Sequence, residues 1–146
     1  MKKLLLILLA SIACSACTAG DSPAPHEPAA SSASQGGDKV LARAFENHQS
    51  NIQVEGEGTV GKVLPDDREG KRHQRFIVKL DSGQSVLVAH NIDLAPRVAG
   101  LKAGDRVLFN GEYEWNAKGG VIHWTHHDPA GRHVAGWIEH GGRTYR

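Results

Sequence analysis

The feature that most restricts the fold of this sequence is a change of hydrophobic period at Gln53. From there on, apolar and polar residues alternate in short runs that end at glycine-, asparagine- or aspartate-containing turns. A period of two places every second side chain on one face of a strand, so each run predicts a β-strand with one buried face. The pattern therefore predicts a mainly β domain of short strands.

Five strands and a terminal hairpin are predicted. The strands cover residues 54–64, 75–80, 84–91, 105–115 and 121–128, and "GWIEH" with "RTYR" forms the hairpin. One helical turn is expected around residues 93–99 in the connection between the third and fourth strands. Alternation and the scarcity of aromatic residues predict a core that includes Phe76, Val78, Leu80, Val107, Phe109, Tyr113, Trp115, Trp124 and Trp137.

The strand number and the loop lengths favour a small OB-like five-stranded barrel. A long polar loop separates the first two strands, and a short connector joins the third to the fourth. Glycines at positions 56, 58 and 61 allow the first strand to coil strongly around a barrel. An open β-sandwich or roll is the alternative.

One short amphipathic helix precedes the strands. In "DKVLARAFENHQS", apolar residues recur at helical spacing, and Asp38 is placed to cap the N-terminus. His48 is expected at the edge of this helix. The OB-like β-domain is accordingly predicted to span residues 38–146.

The N-terminal residues 1–16 are predicted to be a signal peptide of the lipoprotein type. "MKK" supplies a positive region and "LLLILLA" an apolar one, which is shorter than the roughly 20 residues that span a bilayer as a helix. Small residues that lead into Cys17, or into Cys14, resemble the lipobox of bacterial lipoproteins. Because Thr18 or Ser15 follows the cysteine rather than Asp, the resemblance implies a lipid anchor in the outer membrane. The alternative is a cleaved signal and a freely soluble periplasmic protein.

Residues 17–37 are rich in Pro, Ala, Ser and Gly and are predicted to form a flexible tether. The chain has 17 basic and 16 acidic residues, and without Lys2 and Lys3 the balance is 15 to 16. Nucleic acid is therefore an unlikely partner, because domains that bind it generally are strongly basic. The expected partners are the membrane, through the lipid anchor, and an envelope protein or polar ligand.

Four phrases resemble a bacterial family known as domain of unknown function 3465. They are "LPDDREGKRHQRFIVKL", "AHNIDLAPR", "GEYEWNAKGGVIHWTHHDP" and "GWIEHGGRTY", and together they extend from about Val54 to Tyr145. The resemblance implies a small exported protein with an OB-like core. It implies no activity and no substrate.

The segment "VIHWTHHDP" concentrates histidines in the predicted fifth strand. In a regular strand, His123 and His127 are about 13 Å apart, which is too far for both to bind one metal ion. His126 and Asp128 lie on one face, and His90 can join them from the third strand. The hypothesis is a metal site of His90, His126 and Asp128, assisted by His73 or His123, that binds zinc or another divalent metal.

The favoured function is a non-catalytic binding module for a polar ligand or an envelope partner. The candidate ligand-binding residues are His73, Arg75, His90, Asn91, Asp93, His123, Thr125 and His127. The two alternatives are a metal-dependent hydrolase that uses the His/Asp set and a structural accessory protein. In the last case the histidines hold the barrel corners and Asp128 caps a turn. The sequence assigns no catalytic residue and no cofactor, and it contains no "GxSxG", Walker-type or "HExxH" motif.

Overall fold

The computed structural model describes residues 30–146, and it describes their side chains from Gly36 onward. The elements are α1 (Ala30–Glu46), β1 (Ile52–Val63), β2 (His73–Lys79), β3 (Ser85–Asn91), β4 (Arg106–Glu114), β5 (Val121–His123), β6 (Trp137–His140) and β7 (Arg143–Tyr145). The predicted signal, both cysteines and residues 17–29 of the predicted tether lie outside the described residues. Within residues 30–146, no helix is both long and apolar enough to cross a membrane.

Strands β1 to β5 close into a barrel because β1 pairs with two partners. Its first eight residues pair with β4, and four of its last five pair with β2, both antiparallel. Around the barrel the order is β1-β2-β3-β5-β4, and β3 with β5 is a parallel pair. The predicted OB-like barrel is confirmed, and the open sandwich or roll is not formed.

The coiling of β1 depends on its glycines, as predicted. The register with β2 shifts between Val60 and Lys62, so the bulge lies at Gly61. A Cβ atom at Gly56 would lie 2.7 Å from Cζ of Phe109, so only glycine allows the Phe109 ring to pack directly on the β1 backbone. These two features let one strand bend enough to pair on both sides.

The core lies inside the barrel and under α1. It contains the predicted Phe76, Val78 and Leu80 of the second strand and Val107, Phe109 and Tyr113 of the fourth, each at most 2 % exposed. Leu41 and Ala44 extend the core into α1. Trp115 is half-buried and packs against the core edge.

The amphipathic helix is confirmed, but the capping role predicted for Asp38 is wrong. α1 begins at Ala30, eight residues before Asp38. The Asp38 carboxylate instead accepts a hydrogen bond from the backbone N–H of Ser82, 2.8 Å away, and so attaches α1 to the β2–β3 turn. His48 follows the helix end, and its ring centre lies 4.2 Å from that of Trp115.

The connection between β3 and β4 consists of turns, so the helical turn predicted around residues 93–99 does not form. The buried Gln74 side chain holds this connection. Its Nε2 donates to the Val98 carbonyl at 3.1 Å, and its Oε1 accepts from the Val98 N–H at 2.8 Å. These two bonds replace the backbone partners that a helix would supply.

The predicted fifth strand is too long, because β5 ends at His123 rather than at residue 128. Strand β6 pairs with β4 at residues 108–110, which leaves only residues 112–114 of β4 for β5. At Trp124 the chain turns away with a positive φ of 53°. The core positions predicted for Trp124 and Trp137 are therefore wrong, because both side chains are only half-buried. The predicted terminal hairpin is confirmed as β6–β7.

Candidate functional site

A cavity of about 250 Å³ opens where β5 leaves the barrel. Strand β3 continues to Asn91, whereas β5 turns away after His123, and the gap between them forms the cavity. His73 pairs with Asn91 across β2 and β3, which places both at this end. We call the cavity the histidine groove, and its lining residues are Lys71, His73, Ala89, Asn91, His123, Trp124 and His126.

The structure brings some of the predicted site residues together and separates others. Of the candidate ligand-binding residues, His73, Asn91 and His123 line the groove, and His126 of the predicted metal set joins them. Those that do not line it are Arg75, His90, Asp93, Thr125 and His127. Lys71 and Trp124 are not among the predicted site residues, because both enter the groove from turns that strand periodicity does not predict.

His90 and Thr125 form a buried polar pair behind the groove. Nε2 of His90 lies 3.1 Å from the Pro96 carbonyl, which only accepts, so Nε2 carries the proton. Nδ1 therefore accepts from the Thr125 hydroxyl, 2.9 Å away. Burial lowers the pKa of His90 from 6.5 to about 4, so the ring is neutral at pH 7. Both nitrogens are used in holding the barrel together.

The predicted metal set of His90, His126 and Asp128 does not converge. His126 directs Nδ1 to the carbonyl of His127 at 2.7 Å, and both His90 nitrogens are hydrogen-bonded to protein atoms. Among the described residues, the ligand atoms of these three do not form a metal-binding group. The regular strand on which the prediction relied ends at His123, so the spacing it assumed does not exist.

Asp128 instead caps the loop that follows, as the structural alternative predicted. Its carboxylate accepts hydrogen bonds from the backbone N–H groups of Ala130, Arg132 and His133 at 2.8 to 3.1 Å. The bond from Ala130 contributes most to lowering the pKa of Asp128 below its usual value. The loop conformation that places His133 beside Trp124 is thus held by one carboxylate.

The charged residues of the β1–β2 loop are largely engaged with other protein groups. The Arg75 guanidinium donates two hydrogen bonds of 3.1 Å to the Pro65 carbonyl. Arg72 binds Asp93 through its side chain at 2.6 Å and through its backbone N–H at 2.8 Å. These bonds lower the pKa of Asp93. Arg75 and Asp93 therefore fix the loop, while His127 is exposed to solvent.

A second cluster, absent from the sequence predictions, lies beside the groove on the outer face of β4. Glu112 and Glu114 share that face, and His123 is the register partner of Glu112 on β5. The Nε2 of His123 lies 3.7 Å from Oε1 of Glu112 and 3.9 Å from Oε1 of Glu114. We call these three residues the Glu–His cluster.

The environment of His123 is unusual for a histidine near two carboxylates. Its Nε2 atom is buried and has no hydrogen-bond partner within the described part of the chain. Burial lowers the pKa of His123, and the Glu112 and Glu114 carboxylates oppose that shift without overcoming it. The imidazole therefore does not supply a positive charge to the cluster at pH 7.

His133 and Trp124 complete the surroundings of the cluster. Nδ1 of His133 lies 3.3 Å from Oε2 of Glu112. Its ring stacks on Trp124 with centres 3.6 Å apart and planes 13° from parallel. The stacking restricts the orientation of His133, and the contact with Oε2 leaves Oε1 of Glu112 directed to His123.

The "GEYEW" phrase indicates that Glu112 and Glu114 share one face of a strand, because residues two apart on a strand face the same way. The phrase does not indicate which strand pairs with these two glutamates. Only the β4–β5 register places His123 opposite Glu112, and only the loop from residue 128 returns His133 to the same carboxylate.

Comparison with known families decides where this barrel belongs. The family model described as "Protein of unknown function (DUF3465)" matches residues 27–146, which includes both the groove and the Glu–His cluster. The chain belongs to the DUF3465 family. No curated protein matches the chain, and no solved structure matches it. The description of the family names no activity.

Proposed function

We propose that this DUF3465 domain is a non-catalytic binding module that holds a small polar ligand in the histidine groove. The observation that supports the proposal is the convergence of hydrogen-bonding side chains from three strand ends on one cavity of about 250 Å³. Binding sites for drug-sized molecules measure roughly 300 to 1,000 Å³. A cavity of this size fits a small ligand.

The chemistry of the lining favours a ligand that carries an anionic group. Lys71 supplies a fixed positive charge, and His73 and Asn91 supply hydrogen-bonding groups from adjacent strands. Trp124 supplies an apolar face. We expect a small carboxylate or phosphate whose polar groups meet Lys71 and His73.

Two-dimensional NMR of amide and indole groups tests this proposal, with inorganic phosphate and succinate as the probes. We expect shifts concentrated at His73, Asn91 and Trp124, and a loss of affinity of about tenfold in His73→Ala, which corresponds to one hydrogen bond of about 1.4 kcal/mol. His127→Ala is the matched control, because His127 is exposed and lies outside the groove lining. Equal affinities in the two variants would contradict the proposal.

A structural role is favoured for the residues behind the groove. His90, Thr125 and Asp128 direct their polar atoms to other protein groups rather than to the cavity. We propose that these three residues support the groove without touching its ligand. The hydrolase alternative requires a metal site of His90, His126 and Asp128, and the ligand atoms of these three residues do not converge.

We further propose that the protein is exported and attached to the outer membrane through a lipid on Cys17, or on Cys14. The support is the signal-like sequence of residues 1–16 and the small residues that precede each cysteine. Metabolic labelling with radioactive palmitate tests this in cells. We expect labelling to be lost in Cys17→Ser and retained in Cys14→Ser, or the reverse. Labelling that persists in the double variant would exclude a lipid on either cysteine.

A further inference from the structure

We propose that the Glu–His cluster of Glu112, Glu114 and His123 binds a divalent transition-metal ion, with zinc as the ion to test. This site is distinct from the predicted set of His90, His126 and Asp128. It does not depend on the identity of any ligand in the histidine groove, and it can be tested with the metal alone.

The distances within the cluster suit one ion. Ligand atoms at about 2.1 Å from a tetrahedral zinc ion are about 3.4 Å from one another. The Nε2 of His123 is 3.7 and 3.9 Å from the two carboxylate oxygens, and all three ligand atoms lie within 4.8 Å of one another. The two glutamate oxygens lie within 4.8 Å of each other, so all three ligand atoms can reach one ion if those oxygens approach by at most about 1.4 Å.

The cluster also has the polar atom and the charge that an ion would satisfy. Nε2 of His123 is buried and has no hydrogen-bond partner in the described part of the chain, although it lies within 4 Å of one oxygen of each carboxylate. Buried polar atoms almost always have a partner, so an atom of this kind needs an explanation. Within residues 36–146, the ion-pair contacts of Glu112 and Glu114 are made only with histidines. Neither carboxylate on this strand face therefore has a lysine or arginine partner among these residues.

A second layer orients the ligands. His133 contacts Oε2 of Glu112, so the remaining oxygen of that carboxylate is free for the ion and is directed to His123. Trp124 fixes the ring of His133 by stacking. Hydrogen bonds of this kind to ligating carboxylates are a regular feature of metal sites and raise their affinity.

The ligand types decide which class of ion is expected. Imidazole nitrogen suits zinc and other first-row transition metals, whereas magnesium and calcium favour sites made of oxygen alone. Three protein ligands leave a coordination position open. Because His123 also lines the histidine groove, a bound ion would lie at the edge of that cavity.

Calorimetric titration of the full chain with zinc chloride at neutral pH tests the site. The variants are Glu114→Gln and His123→Gln, and the matched controls are Glu139→Gln and His127→Gln, which make the same chemical changes outside the cluster. Cys14 and Cys17 are identical in all five proteins, so zinc held by their thiols would not change the difference between them. We therefore expect each cluster variant to bind one equivalent of zinc fewer than the wild type and the controls.

Thermal unfolding with and without zinc distinguishes the loss of a metal site from a defect in folding. Without metal, Glu114→Gln is expected to melt at the same or a higher temperature than the wild type, because it removes one of two neighbouring like charges. With zinc, the wild type and both controls are expected to gain more thermal stability than either cluster variant. Equal zinc stoichiometry in all five proteins overturns the proposal. Equal displacement of zinc by calcium or magnesium overturns the assignment to a transition metal.

Discussion

The Nδ1 atom of His90 accepts a hydrogen bond from the hydroxyl of Thr125, 2.9 Å away, inside a fully buried pair. The bond joins the end of β3 to the loop that follows β5. Burial disfavours the charged imidazolium and lowers the pKa of His90 to about 4, so protonation of this ring opposes folding. The pair therefore makes the stability of the barrel depend on pH.

We expect the free energy of unfolding to decrease as the pH falls from about 6.5 towards 4. The pKa of His90 is about 4 in the folded protein against 6.5 for an ordinary histidine, so over this range the unfolded chain binds the additional proton. Between about pH 7.5 and pH 5 the loss attributable to His90 is about 2 kcal/mol.

Urea unfolding at the two pH values measures this loss. His90→Gln keeps a polar side chain but cannot titrate, so its pH dependence is expected to be smaller than that of the wild type by about 2 kcal/mol. His127→Gln serves as the control, since His127 is exposed. Parallel pH profiles for the wild type and His90→Gln would show that His90 does not carry the effect.

Gln74→Ala is expected to destabilise the domain by about 2 to 4 kcal/mol. The substitution removes both hydrogen bonds to Val98 and leaves a buried backbone N–H and carbonyl without partners. Gln49→Ala is the control, because Gln49 is exposed, and it should change stability by less than about 0.5 kcal/mol. Urea unfolding at neutral pH measures both. A loss in Gln74→Ala no larger than in the control would contradict the assigned role.

Gly111→Ala is expected to destabilise the domain by about 1 to 3 kcal/mol, because a Cβ atom there would lie 2.5 Å from the His123 carbonyl oxygen. Relief of the clash moves β5 away from β4, so zinc binding should weaken as well. Gly36→Ala makes the same chemical change on α1, where nothing lies within 4 Å, and should stabilise by about 0.5 to 1 kcal/mol. Thermal unfolding with zinc titration checks both. Full zinc affinity in Gly111→Ala would contradict the close β4–β5 approach.

His133→Ala is expected to weaken zinc binding by about tenfold without abolishing it. The substitution removes the hydrogen-bond partner of Oε2 of Glu112 but leaves all three proposed ligands in place. Calorimetry should show an unchanged stoichiometry and a higher dissociation constant. Loss of a whole equivalent would instead make His133 a direct ligand. An unchanged dissociation constant would mean that the contact with Glu112 does not orient the carboxylate.

The barrel itself was predictable from local patterns. The period-two alternation identified the core faces of β2 and β4, and the glycines of β1 indicated a strand that could coil strongly around a barrel. Errors arose at the ends of elements. β5 ends where β6 begins to pair with the next residues on the same edge of β4. Because β6 is distant in the chain, the sequence of β5 carries no local signal for that end.

The sequence by itself determined the class of fold, the family and the inward-facing residues of β2 and β4, because these follow from the order of side chains along each strand. Tertiary structure alone decided which polar residues meet. It assigned His90, Arg75 and Asp128 to internal hydrogen bonds and brought Glu112, Glu114 and His123 together. The physical reason is that the cluster depends on the register between two strands and on where the second one ends. Both are set by pairing energies between segments that are remote in the chain.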